Sequence, residues 1–95
     1  MIRLDPYMRR TARNARMAPE VATRCYLCRR PIRSSVDIVP HVHVHGGGVV
    51  VLLPDEVAPG GPEADLGLQA VGHDCARILP TGYALKLHEW HGSRP

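Results

Sequence analysis

The clearest periodicity lies in the middle of the chain. His41, His43 and His45 alternate with Val42 and Val44, the period of two that a β-strand imposes on its two faces. Gly46, Gly47 and Gly48 follow, and then a β-branched-rich run from Val49 to Leu53 that Pro54 stops. Glycine readily enters the left-handed backbone region that a tight loop needs. Residues 38–45 and 49–53 are therefore expected to form a β-hairpin.

Upstream, DPYMRRTARNARMA over 5–18 reads as a short helix. Asp5 is placed to cap it, Pro6 suits its first position, and Pro19 ends it. Tyr7, Thr11 and Ala15 line one side and Arg9, Arg13 and Arg16 another. So thin an apolar side would let the segment fray alone in water. Residues 24–33, RCYLCRRPIR, read as a tight cysteine turn, and 54–66 as a surface loop. Residues 69–79 enter a short helix near Asp74 or Cys75, closed by Pro80. Over 83–91 the alternation of Tyr83, Leu85 and Leu87 suits a strand, while the length also suits a helix.

Composition narrows the class. Ninety-five residues make one domain the ceiling, and 44 % hydrophobic with 22 % charged residues is ordinary for a globular protein. Nine glycines and nine prolines imply much turn and loop. No apolar run approaches the ~18 residues of a membrane helix, and the N-terminus lacks the apolar core of an export signal. A membrane protein, a coiled coil, a disulfide-rich toxin and a large cofactor enzyme are excluded. No Ser–His–Asp set or paired-carboxylate site stands out. The three glycines make a poor phosphate loop, because they lead into no helix.

Charge is uneven. Residues 1–33 hold nine arginines against Asp5 and Glu20, a balance of +7, whereas 34–95 balance at −4. This suggests a basic arm on a mildly acidic body, and the chain is read as a basic N-terminal arm, 1–23, followed by a zinc-binding domain, 24–95. Arg forks around phosphate or carboxylate in a planar, two-bond way that Lys cannot. Arg9, Arg10, Arg13, Arg16, Arg29 and Arg30 are the expected contacts to nucleic acid or to an acidic protein surface.

The cysteines carry the strongest chemistry. An odd count, Cys25, Cys28 and Cys75, argues against a disulfide framework and fits a reducing cytoplasm. The two-residue spacing of Cys25 and Cys28 lets two thiolates address one ion, and Cys75 falls where a helix starts. A fourth ligand must close the tetrahedron. His43 is placed first, with His73 and His45 behind it. Thiolates with imidazole select zinc, which supplies roughly 10 kcal/mol or more of folding energy in small modules.

Cysteine turn, hairpin and cysteine-bearing helix resemble, over about 24–80, the treble-clef zinc fold, within an α+β class. CYLCRRPI, HVHVHGGG and LQAVGHDCARILP also look like small uncharacterised zinc-binding proteins of actinobacteria and their phages. That likeness implies Cys25, Cys28, His43 and Cys75 as the ligand set, with no settled activity. CYLCRRPI, SVDIVP and LQAVGHDCAR echo the zinc-bearing segments of HNH endonucleases. In that family a general-base His follows the strand Asp. Here Ile38 follows Asp37, and Gly72 stands three before Cys75 where the family's helix carries another ligand.

Three functions compete: a non-enzymatic zinc module on nucleic acid, an adaptor docking on an acidic surface of a larger assembly, and a divergent metal nuclease. A His-x-His catalytic metal site would need a further donor, for which His88 and His91 are available. The expectation carried forward is the first: one structural zinc, no enzymatic activity, no small-molecule substrate and no membrane.

Overall fold

A computed structural model describes residues 1–8, 23–32, 34–35, 37–57 and 62–92. In chain order these form strand β1 (Ile2–Arg3), a 3-10 turn (Asp5–Tyr7), β2 (Pro40–His45), β3 (Val50–Leu52), a second 3-10 turn (Pro62–Ala64), β4 (Gly67–Ala70), helix α1 (His73–Ile78), β5 (Leu85–Lys86) and helix α2 (Leu87–Gly92). The class is α+β, as the sequence indicates. No helix among the described residues is long and apolar enough to cross a membrane.

The sheet runs β1-β3-β2-β4, all antiparallel, with β5 also on β2. His41 faces both Ala70 of β4 and Leu85 of β5. A strand has two edges, so β5 continues the line of β3 beside the first residues of β2. The hairpin forms as expected, with Val44 opposite Val51 and His43 opposite Leu52. Its three glycines take φ of 62°, 73° and 93°, a region that penalises any Cβ. Gly48 also has no room for one, because an added Cβ would lie 2.5 Å from the Tyr26 hydroxyl.

Both faces of β2 are covered. Val42, Val44 and Val51 pack with Leu4, Leu27, Val71, Leu79, Tyr83 and the three cysteines in one buried cluster. On the other face His41 and His45 are buried. There Trp90 of α2 donates its indole N–H to the His41 carbonyl at 3.0 Å and meets the edge of His43 at 6.2 Å.

Several expectations change. Residues 5–7 form a 3-10 turn, and Met8 is extended at φ −71°, ψ 124°, so no α-helix starts at Asp5. Asp5 bonds Arg3 at 2.6 Å and caps nothing. Leu4 anchors this turn in the core and Ile2–Arg3 join the sheet, so the first residues pack with the body. The rest of the expected helix, including Arg9, Arg10, Arg13 and Arg16, lies outside the described residues. In the expected loop 54–66, Pro62–Ala64 wind into the second 3-10 turn. Residues 67–70, too short a run for a clear periodicity, still become a strand because the edge of β2 supplies their hydrogen bonds. Segment 83–91 holds both alternatives in series, two residues of strand and then a helix.

Candidate metal centre

The cysteine turn is built by its own backbone. Arg24 bridges Pro31, Cys25 N–H donates to Arg30 O at 2.9 Å, and Arg29 N–H donates to Cys25 O at 2.8 Å. Arg29 closes the turn at φ 67°, in the left-handed region. Two further bonds bring the distant helix to this turn. Tyr26 N–H donates to Ala70 O at 2.9 Å, which ties the turn to the end of β4. Val71 N–H donates to Pro40 O at 2.9 Å, which ties the same point to β2. The chain leaving β4 therefore passes beside the turn. Gly72 presents its amide to the Cys25 sulfur, and α1, opening at His73, carries Cys75 about one turn further on.

The result is three sulfurs within 4.8 Å of one another. Cys25, Cys28 and Cys75 are 1 %, 7 % and 2 % exposed and form no disulfide. A tetrahedral zinc with bonds near 2.3 Å spaces its sulfurs about 3.8 Å apart, so the trio closes on an ion by shifts of about 1 Å at most. Burial pushes the Cys25 thiol up, but the amides of Gly72, Cys28 and Leu27 stabilise its thiolate and bring its pKa below the ordinary value. Burial raises Cys75, and the neighbouring Cys25 and Cys28 sulfurs raise it further, to about 12. Three crowded sulfurs resist becoming three anions until a cation sits among them. No carboxylate joins the trio among the described residues, so the donor set is soft and suits zinc.

A cleft of about 280 Å³ opens beside the sulfurs, lined also by Arg30, Ile32, His73 and Asp74. Arg30 and Arg29 are exposed on the turn, and the Arg29 guanidinium stands over the Tyr26 ring at 5.4 Å. The Tyr26 hydroxyl donates to Gly48 O at 3.0 Å, linking the turn to the hairpin tip.

The expected fourth ligand, His43, is not at the centre. The sulfurs share the core of Val42 and Val44, and side chains on a strand alternate. His43 therefore points to the opposite face, as His41 and His45 do. Its Nε2 donates to Asp65 Oδ1 at 2.9 Å. Asp65 is fixed by the Gly67 amide at 2.7 Å, and that bond first, then His43, holds its carboxyl below the usual range. His41 bonds Val39 O through Nδ1 at 3.0 Å. His73 alone of the three ranked histidines lines the sulfur cleft. Sequence reasoning missed the Gly72 amide and the role of Asp65. Alternation placed His43 on one face with His41 and His45, but it carried no signal for which face of β2 meets the sulfurs.

The chain matches no protein-family model, no curated protein and no solved structure. Fold and centre alone define its class: a small α+β protein with a buried three-cysteine cluster able to hold a metal ion.

Proposed function

We propose that the protein is a non-enzymatic zinc-binding module of treble-clef type, with one structural zinc on Cys25, Cys28 and Cys75, that contacts nucleic acid through its arginine-rich N-terminal arm. The observation that carries the metal reading is the convergence of the three sulfurs from two distant stretches of chain. The order of cysteine turn, hairpin and cysteine-bearing helix supports the treble-clef assignment. The case for nucleic acid is the crowding of nine arginines into residues 1–33, with Arg29 and Arg30 exposed on the turn. Those two would extend the phosphate-binding surface of Arg9, Arg10, Arg13 and Arg16 onto the body.

Elemental analysis of untagged protein tests the metal, with one zinc per chain as the expected result. Binding to duplex and single-stranded DNA and RNA tests the partner. Affinity should fall steeply between about 50 and 200 mM salt, as phosphate contacts require. Arg9, Arg10 and Arg13 changed together to Ala should weaken binding to all sequences alike. An association indifferent to salt removes the nucleic-acid reading. A pull-down of protein that survives nuclease treatment and is lost in the same variant replaces it with the adaptor.

A further inference from the structure

We infer that His73 supplies the fourth ligand, swinging into the cleft beside the sulfurs to complete a Cys3His site. This rests on the zinc reading above and concerns only how the coordination sphere is closed.

A structural zinc site is four-coordinate and closed to solvent. Three donors are in place, and a cleft remains on one side of them. The histidines of β2 cannot reach it. His41, His43 and His45 lie across the sheet, and moving one over would slip β2 by a residue and turn Val42 and Val44 out of the core. His88 is on α2, which carries Trp90 against that same far face. Among the described residues, two donor-bearing side chains besides cysteine line the cleft, His73 and Asp74. Asp74 lies 3.7 Å from Arg77. A carboxylate would also take three thiolates and a divalent ion to a net charge of −2, whereas neutral imidazole leaves −1, with Arg30 lining the cleft among the described residues.

His73 has the position and the freedom. It is the first residue of α1, and side chains on a helix lean toward its N-terminus. That direction leads to Gly72, whose amide bonds the Cys25 sulfur. The ring is exposed and makes no hydrogen bond or ion pair among the described residues, so its rotation breaks nothing. The two-residue spacing from Cys75 is awkward within a continuous helix. Residues two apart do not share a helix face, so His73 has to reach across the first turn of α1 to meet an ion held by Cys75.

The test uses the full chain loaded with zinc. X-ray absorption at the zinc edge should give three sulfurs and one nitrogen with the outer-shell pattern of an imidazole. Long-range nitrogen–proton NMR of the unmutated protein should identify the metallated ring as His73. In His73→Ala the imidazole pattern should vanish and zinc affinity should drop at least about tenfold, the lower end of what even outer-shell losses cost. His73→Cys should restore affinity with four sulfurs, and His43→Ala should leave the zinc spectrum unchanged. Three sulfurs with no imidazole in the unmutated protein, or metallation of any other ring, overturns the inference while keeping zinc. A chain that takes up no zinc at all overturns the metal reading itself, and this inference with it.

Discussion

Arg29 is the one non-glycine residue among those described with a positive φ, and it sits where the cysteine turn must reverse. Its carbonyl also accepts from the Arg24 guanidinium at 3.5 Å. The cysteines at this scale were legible, because a two-residue spacing has few uses in a chain with an odd cysteine count. His43 was not. Alternation tells which residues share a face but not which face meets the sulfurs. That is decided by the bonds of Tyr26 to Ala70 and of Val71 to Pro40, and no local pattern announces them. What His43 does instead has a measurable consequence. Asp65 has its pKa lowered in the fold, first by the Gly67 amide and then by His43. A group of lowered folded pKa stabilises above its unfolded value, about 3.9, and that contribution is lost as pH falls through the lower folded value. Asp65→Asn is therefore expected to be less stable than the parent near pH 6–7, and the gap should close as pH drops below about 4. Urea unfolding of the zinc-loaded pair at several pH values checks this. A gap that widened in acid would contradict it. Asp65 is largely exposed, so the effect belongs to the small class of surface interactions, about 1 kcal/mol or less.

Among the elements, the hairpin was legible because glycine run, alternation and β-branched return all agree. Strand β4 was not, because its four residues, GLQA, are too few for alternation to stand out and their strand geometry is set by the edge of β2. The segment after Tyr83 defeated a single assignment for a physical reason. Leu85 pairs with His41, and the chain then turns into α2, with Glu89 accepting from the Lys86 amide at 2.9 Å near the helix start. The hairpin tip has a second role beyond reversing the chain. At Gly48 the carbonyl accepts the Tyr26 hydroxyl, and φ is 93°. Gly48→Ala must both adopt a disfavoured backbone and displace the Tyr26 hydroxyl. A loss of about 2–3 kcal/mol is expected, the backbone cost of ~1–2 added to part of an overpacking cost. Gly47→Ala has the same left-handed backbone but nothing within 4 Å, so it should lose only the first part, ~1–2 kcal/mol. Denaturant unfolding of the two variants side by side separates the terms, and equal losses would mean that the contact with Tyr26 contributes nothing.

For the whole molecule the question is what an ion on the three cysteines would hold that the core does not. The sheet has its own apolar support in Val42, Val44, Val51 and Leu4. Helix α1 does not. It is six residues long, well short of the ~12–15 an isolated helix needs, and Cys75 is its one buried residue. The cysteine turn reaches the rest through Leu27, its sulfurs, the partly buried Tyr26 and Ile32, and the bonds of Tyr26 to Ala70 and Gly48. Without a cation, the crowding that raises Cys75 opposes three thiolates, and α1 is held to the turn mainly by the Gly72 amide on the Cys25 sulfur and the bond of Tyr26 to Ala70. Zinc sites in small modules release about 10–16 kcal/mol on binding, against a total stability of about 5–15 kcal/mol for a typical domain. Removing the ion is thus expected to reach beyond a local loosening. Chelator at pH 7 should lower Tm by at least about 10–20 °C, since each kcal/mol moves a domain of this size by about 4–8 °C. Amide exchange should rise first at 25–30 and 72–78, the two stretches the ion joins, and later in β2 and β3. Cys75→Ser should reproduce both effects without chelator. Loss of the sheet's protection ahead of α1, or a melting curve that ignores the chelator, would place the fold's support in the valine core and leave the three cysteines as ordinary buried residues.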